Sequence, residues 1–354
     1  MKLTRSEFQN YIHSYEQDEI FYRDLYLAEK EHPETFMEYC QSLDREMITQ
    51  RKLYVPALRK EGWLPYLNEG TLFQDFTGDI MLSKHYRYTP AFAHEHEFFE
   101  IMCIYDGTVK TTIQGIPHTL QQGDVCIIPP HTRHSVSIFD DSIAINILVR
   151  TSAFQSTFFQ TLTADSALSQ FFTHVLYHKT EGNFLIFHTG NDKIVMKSVE
   201  KLFIEYLGHE KYSYTFLNSM LILFWAKLLR YHENDIESIL TKETTGSSMT
   251  EILNYLNQNF QIASLSDTAA HFGYSSSHFS KLIKEGTGRT FLQIIRDIKL
   301  NQACRALRET TLSIPSICKL VGYETTEHFM RTFKKAYGMT PGEYRKTSSS
   351  LLEK

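Results

Sequence analysis

His94, His96 and Glu100 lie two and four residues apart, so on one extended strand their side chains share a face. His134 follows a Pro129-Pro130 turn that can return the chain to the same side. Imidazole and carboxylate groups gathered in one interior can do three things. They can contact an organic effector, satisfy one another as a structural hydrogen-bonded interior, or hold a divalent metal such as zinc, iron, nickel or manganese. Residue type and spacing leave all three open for His94, His96, Glu100 and His134. Tyr86, Tyr88, Phe92 and Phe98 are close in sequence, and Tyr86 and Phe98 join the candidate effector site. Aromatic rings there can stack on a sugar or line an apolar pocket, although in a small β domain they are more often core. Histidine and glutamate beside aromatics favour a polar small molecule such as a carbohydrate.

A second constellation is a repeat. Gly273-Tyr274-x4-Phe279 leads to Gly288, and Gly322-Tyr323-x5-Phe329 leads to Gly338. Both Phe-to-Gly intervals are nine residues, and the first glycines lie 49 apart. Each Gly-Tyr follows a short amphipathic segment, Leu265–Phe272 or Ile314–Val321, and precedes another that carries Lys and Arg. A helix-turn-helix needs a residue tolerant of positive φ at its turn, which Gly273 and Gly322 supply. Its helices also cross closely and want a small side chain four residues earlier, where Ala269 and Cys318 stand.

The segment Gly322–Arg345 closely resembles the signature of the AraC/XylS family of bacterial regulators, down to Gly338, Thr340, Pro341, Tyr344 and Arg345. The resemblance covers about residues 249–346, including the connecting segment Phe291–Arg308. It implies seven helices, with two recognition helices entering successive major-groove faces of double-stranded DNA roughly 34 Å apart. The exposed positions are then Ser276, Ser277, Ser280 and Lys281 in the first unit, and Thr325, Thr326, Glu327 and Arg331 in the second. Arg331 is the best candidate for a bidentate guanine contact, and Lys284, Lys334 and Lys335 suit phosphate. His278 and His328 fit a partly buried structural role as well as DNA contact. Regulators of this family commonly carry a β-barrel effector domain and dimerise beside it, which implies a homodimer here, with RNA polymerase as a further candidate partner.

The pattern His94-x-His96-x3-Glu100-x6-Gly107 resembles the first motif of metal-binding cupins, and Gly123-x5-Pro129 with His134 follows where the second is expected. The second motif departs from it, with His131 where Gly is usual and Ile138 where Asn is usual. This predicts a cupin-like barrel, with no cofactor assigned beyond the open divalent-metal reading. No Gly-x-Ser-x-Gly elbow or P-loop is present, which speaks against nucleophilic catalysis. The expectation is a regulator answering to a small molecule and not an enzyme; the alternatives are a regulator without a small-molecule effector and a metal-dependent cupin enzyme with a DNA-binding tail.

These residues need elements to position them. Ile80–Tyr86, Phe98–Tyr105, Thr108–Ile113, Asp124–Ile128 and Ile143–Val149 are β-rich and separated by turn signals, a spacing that suggests a small antiparallel barrel or sandwich. Helical periodicity covers the first 70 residues and returns at Lys193–Leu207 and Tyr214–Tyr231, the latter apolar nearly all round. The predicted fold class is multidomain α+β. It has a helical N-terminal extension (1–70), a cupin-like antiparallel β-barrel effector domain (71–150), a helical dimerisation region (151–241) and an all-α DNA-binding domain with two helix-turn-helix motifs (242–354). Thr241–Ser248 reads as a linker.

Composition agrees. At 42% hydrophobic and 22% charged, the 354 residues fall outside the disordered classes. The net charge is −5, yet residues 249–346 hold 13 Lys and Arg against 8 Asp and Glu, a balance of +5 that leaves −10 elsewhere. A basic end on an acidic body fits a DNA-binding module joined to something with another task. Five scattered cysteines fit a reducing compartment. The most apolar run, Phe216–Leu229, is 14 residues with Asn218, Ser219 and Lys227, too short and polar to span a membrane. With no apolar leader at the N-terminus, the expectation is a cytoplasmic protein.

Overall fold

The computed structural model describes residues 3–58, 66–73, 78–158, 184–238 and 247–349. The chain divides into two compact units, residues 1–69, 80–151 and 181–239 in one, and 70–79, 152–180 and 240–354 in the other.

The first unit opens with α1 (Arg5–His13), α2 (Gln17–Glu31), α3 (Phe36–Ser42) and α4 (Arg45–Gln50). Their ends are set by side chains: Thr4 and Glu7 form a reciprocal capping box on α1, and Asp44 accepts from the Glu46 and Met47 amides at α4. The strands are β1 (Tyr66–Leu67), β2 (Ile80–Lys84), β3 (Glu95–His96), β4 (Phe99–Asp106), β5 (Thr108–Ile113), β6 (Ile116–Gln121), β7 (Val125–Ile128), β8 (His134–Ser137), β9 (Ile143–Val149), β10 (Leu185–Phe187) and β11 (Ile236–Ser238). Short helices α5 (Glu69–Leu72) and α6 (Thr151–Phe158) lie where the chain passes from one unit to the other. Helices α7 (Lys193–Gly208) and α8 (Ser213–His232) pack together and against β2.

The strands form a six-stranded antiparallel sheet ordered β11-β10-β7-β4-β9-β2, a three-stranded sheet β6-β5-β8 and a parallel pair β1-β3. Met102, Ile104, Cys126, Ile128, Ala144 and Ile186 of the large sheet share one core with Val109, Ile113, Leu120 and Val136 of the small one. Strands β7 and β9 are buried along their whole length, as expected of central strands covered on both faces.

The expected cupin-like barrel is not there. Among the described residues both sheets are open: β11 and β2 are edges of one, β6 and β8 edges of the other, and no ladder joins the two. An isolated antiparallel bridge pairs His94, just before β3, with His134 at the start of β8. Strand number and turn spacing specify the strands and suit a barrel or a sandwich alike, but they do not fix whether the edges pair; here they do not. The α+β class, the N-terminal helices and the all-α C-terminal region stand. Residues 241–246 of the expected linker lie outside the described residues, and Ser247 and Ser248 already belong to a helix.

Between Ser247 and Ser349 the second unit has seven helices: α9 (Ser247–Asn259), α10 (Leu265–His271), α11 (Ser276–Thr287), α12 (Phe291–Glu309), α13 (Ile314–Leu320), α14 (Thr326–Tyr337) and α15 (Pro341–Ser349). The long α12 contacts α11, α13 and α15. Its Leu300, Ala303, Cys304 and Leu307 form a core with Ile317, Cys318, Val321, Phe329 and Phe333.

Candidate functional site

Two helix pairs, α10–α11 and α13–α14, carry the candidate DNA interface. Each pair is built alike. Ser264 and Ser313 cap the first helices, and Ser275 and Thr325 cap the second. Gly273 and Gly322 adopt φ of 74° and 75°, the left-handed conformation the turn requires. Just beyond them the Tyr274 amide donates to the Ala269 carbonyl at 2.8 Å, and the Tyr323 amide to the Cys318 carbonyl at 3.0 Å. Ala269 and Cys318 are buried at the crossings, and Phe279 and Phe329 anchor the second helices.

This anchoring turns the opposite faces outward. Ser276, Ser277, Lys281 and Lys284 are exposed on α11, and Glu327, Arg331, Lys334 and Lys335 on α14, while Ser280 and Thr326 are half-buried and Thr325 is exposed at its cap. Lys281 lies 3.7 Å from Glu285 in an exposed pair. His278 and His328 are exposed and meet Tyr274 and Tyr323 edge-on at 5.2 and 5.4 Å, so neither takes the partly buried position.

In the first unit the structure brings His94, His96, Glu100 and His134 together. Glu100 Oε2 lies 3.2 Å from His96 Nε2 and 3.4 Å from His134 Nε2, and the His94 and His134 rings are 4.2 Å apart. The strand carrying the first three is interrupted: His96 ends β3 and Glu100 belongs to β4, while β8 supplies His134. Burial of His96, Glu100 and His134 is nearly complete, and His94 is half-buried. His94 Nδ1 donates to the Phe92 carbonyl at 3.2 Å, and His134 Nδ1 to that of Thr132 at 3.0 Å. Burial pushes the His94 imidazole down to about 3 and lowers His96 as well. Burial alone would raise the Glu100 carboxyl, but His134 and His96 outweigh it and hold it well below its usual range.

The aromatic residues separate. Phe98 stacks on His96 with ring centroids 4.4 Å apart, and Phe92 lies 4.8 Å from His94. Tyr86 and Tyr88 instead pack against the N-terminal helical cluster around Tyr22 and Leu25. His131, standing where Gly is usual, has φ 60°, which explains the usual residue. Two features escape sequence spacing. His85 is depressed by burial while Glu100 and His134 act on it in opposite senses, which places it within electrostatic reach of the cluster. A polar cleft of about 500 Å³ is lined by Arg5, Gln9, Tyr105, Lys197 and Glu200, from segments too far apart in the chain for any local pattern to reveal.

Comparison with known proteins places both halves. Residues 268–347 match a helix-turn-helix domain model, and residues 81–181 match the model of an AraC-like ligand binding domain. The HTH-type transcriptional activator RhaS of Klebsiella pneumoniae is 26% identical over 266 residues, covering 73% of this chain and 89% of that protein. The protein of the same name from Escherichia coli is 24% identical over 262 residues, with the same coverage. This chain is a sequence-specific DNA-binding transcription regulator of the AraC/XylS type. The regulator is not an enzyme, in line with the regulators it matches. Among solved structures it resembles the C-terminal domain of AraT, a response regulator from Geobacillus stearothermophilus. That match is 29% identical with a TM-score of 0.28, over 30% of this chain and 88% of that one. Among the described residues no helix of the regulator is long and apolar enough to cross a membrane.

Proposed function

We propose that a polar small molecule, of which a carbohydrate is one class, binds the N-terminal unit and sets how the two recognition helices engage double-stranded DNA. The observation carrying this reading is the convergence of His94, His96, Glu100 and His134, with Phe98, inside the segment matched by the ligand binding model. Buried polar groups converging beside aromatic rings suit recognition of a small polar ligand. In this reading residues 71–150 sense, 151–241 dimerise and 242–354 bind DNA, with 1–70 as a helical extension. Phe216 and Leu223, exposed on α8, are the apolar residues that support a homodimer there.

On DNA, Arg331 takes a guanine edge and Glu327 a cytosine amino group. The hydroxyls of Ser276, Ser277, Ser280, Thr325 and Thr326, with Lys281, meet base edges or phosphate. Lys284, Lys334 and Lys335 neutralise phosphates. The relatives are named activators, and activation through RNA polymerase is the sense extended to this chain.

The test is mass spectrometry of small molecules released from the purified chain, followed by operator binding with and without each recovered compound. A recovered polar compound that changes operator affinity is the expected result. Operator affinity indifferent to every recovered compound would count against the sensing role.

A further inference from the structure

We propose that the cleft between α1, the end of β4 and the start of α7 binds a small phosphorylated molecule, at a site separate from the histidine cluster. Its volume of about 500 Å³ is that of a small-ligand pocket, and Arg5, Lys193 and Lys197 line it together with Glu200 and Asp106. The inference does not rest on the sensing reading, and each can fail without the other.

Arg5 is held ready for an anion. Its Nε donates to Glu200 Oε2 at 3.0 Å and its Nη2 to Glu200 Oε1 at 3.1 Å. Glu200 is itself buried, and its Oε1 also accepts from the Tyr105 hydroxyl at 2.8 Å. An exposed arginine ordinarily loses rotamer freedom when it grips a ligand, which weakens binding. Here a buried carboxylate has already fixed the guanidinium, and Nη1 donates to nothing among the described residues.

Lys193 and Lys197 stand four residues apart on α7, so they are neighbours on one helix face. Both are exposed, and among the described residues neither meets a carboxylate. Like charges at this spacing repel, and an anion between them removes that cost. The remaining carboxylate of the cleft is taken: Asp106 accepts from the Gly107 amide at 2.9 Å and lies 3.9 Å from His13. Three basic side chains therefore face two carboxylates that already have partners, although the chain outside residues 249–346 carries −10. A phosphate monoester brings about −1.5 to −2 of charge and three acceptor oxygens, which suits an arginine with two lysines better than a lone carboxylate does. The rest of the cleft leaves room for an organic part. Bound there, the molecule would tie α1 to α7, which packs in turn against α8.

The full chain is titrated by calorimetry with orthophosphate, with glucose 6-phosphate and with citrate, at about 0.15 M salt so that unspecific attraction is screened. Both phosphates should occupy one site per chain. Lys193→Gln and Lys197→Gln should each weaken that binding at least ~10-fold, the cost of one charge-assisted hydrogen bond. Lys334→Gln, on the candidate DNA interface, should leave it unchanged. Both α7 lysines are exposed, and circular dichroism checks that their variants keep the fold. Three results overturn the site: no saturable phosphate binding by the wild type, wild-type affinity in a chain carrying both Lys193→Gln and Lys197→Gln, or a loss confined to Lys334→Gln. Citrate binding more tightly than either phosphate, with the same dependence on the two lysines, overturns the phosphate assignment.

Discussion

Glu19 and Arg87, 68 positions apart in the chain, meet in the interior of the N-terminal unit, where Arg87 Nε donates to Glu19 Oε1 at 2.8 Å. Lys84 Nζ lies 2.6 Å from the other carboxylate oxygen, and all three side chains are almost wholly buried. Lys84 and Arg87 also donate to the Ser14 carbonyl at 2.7 and 2.8 Å, which ties the turn between α1 and α2 to the end of β2. Removing one member of a buried ion pair leaves its partners charged and uncompensated, at a cost of about 3–5 kcal/mol. Glu19→Gln should therefore destabilise this unit by that order, read from denaturant unfolding of the full chain. A change within 0.5 kcal/mol, about the size of an ordinary surface substitution, would contradict the assignment.

The same carboxylate should give stability a pH dependence. Burial alone would raise the Glu19 carboxyl, but hydrogen bonds from Arg87 and Lys84 overcome it and hold it below its ordinary value. A carboxyl depressed in the folded state contributes its full stabilisation above the unfolded value of about 4.3 and loses it as pH falls through the folded value. Wild type should lose stability on acidification below about pH 4.3 more steeply than Glu19→Gln does. Parallel curves for the two chains would contradict this.

The two helix-turn-helix turns share a conformation but not their surroundings. A Cβ on Gly322 would meet the Gln261 carbonyl oxygen at 2.8 Å, whereas one on Gly273 meets nothing within 4 Å. A left-handed non-glycine residue costs about 1–2 kcal/mol. Gly273→Ala should lose about that much, and Gly322→Ala clearly more. Equal losses in thermal unfolding would show that the second turn relaxes away from Gln261.

Assembly is tested on α8. Leu223→Asp places a charge on an exposed apolar position, 57% accessible in the isolated chain. If α8 forms the homodimer, sedimentation at micromolar concentration should shift from dimer to monomer. A dimer that survives the substitution would place the interface elsewhere.

Particular residues show why some of this was legible in sequence. Thr108–Ile113 and Ile143–Val149 form strands with the expected ends, because apolar patterning and flanking turns bound them tightly. Strands β6 and β8 carry no such signal, since Pro117 and a mostly exposed run obscure one, and His134 in the other is polar yet buried. The period-two spacing of His94, His96 and Glu100 foretold their convergence, although a break between β3 and β4 replaces the single strand assumed. Tyr86 left the expected site because α2 and its neighbours cover that end of β2, a long-range packing that no local pattern encodes. Glu19 was invisible for the same reason: in a polar helix nothing marks the one carboxylate that meets Arg87. The helix-turn-helix units were the most legible part, since their caps, small crossing residues and turn glycines are all local.

The most direct test of the central claim is selection of DNA sequences from a random duplex library by the full chain, repeated with Arg331→Ala and Lys334→Ala at several salt concentrations. Wild type should enrich a defined operator. Arg331→Ala should relax preference at one position, by about 1–3 kcal/mol. Lys334→Ala should enrich the same operator with uniformly weaker binding and a salt slope smaller by about one. No enriched sequence from the wild-type chain, or one unchanged in strength and pattern by Arg331→Ala, would contradict the account.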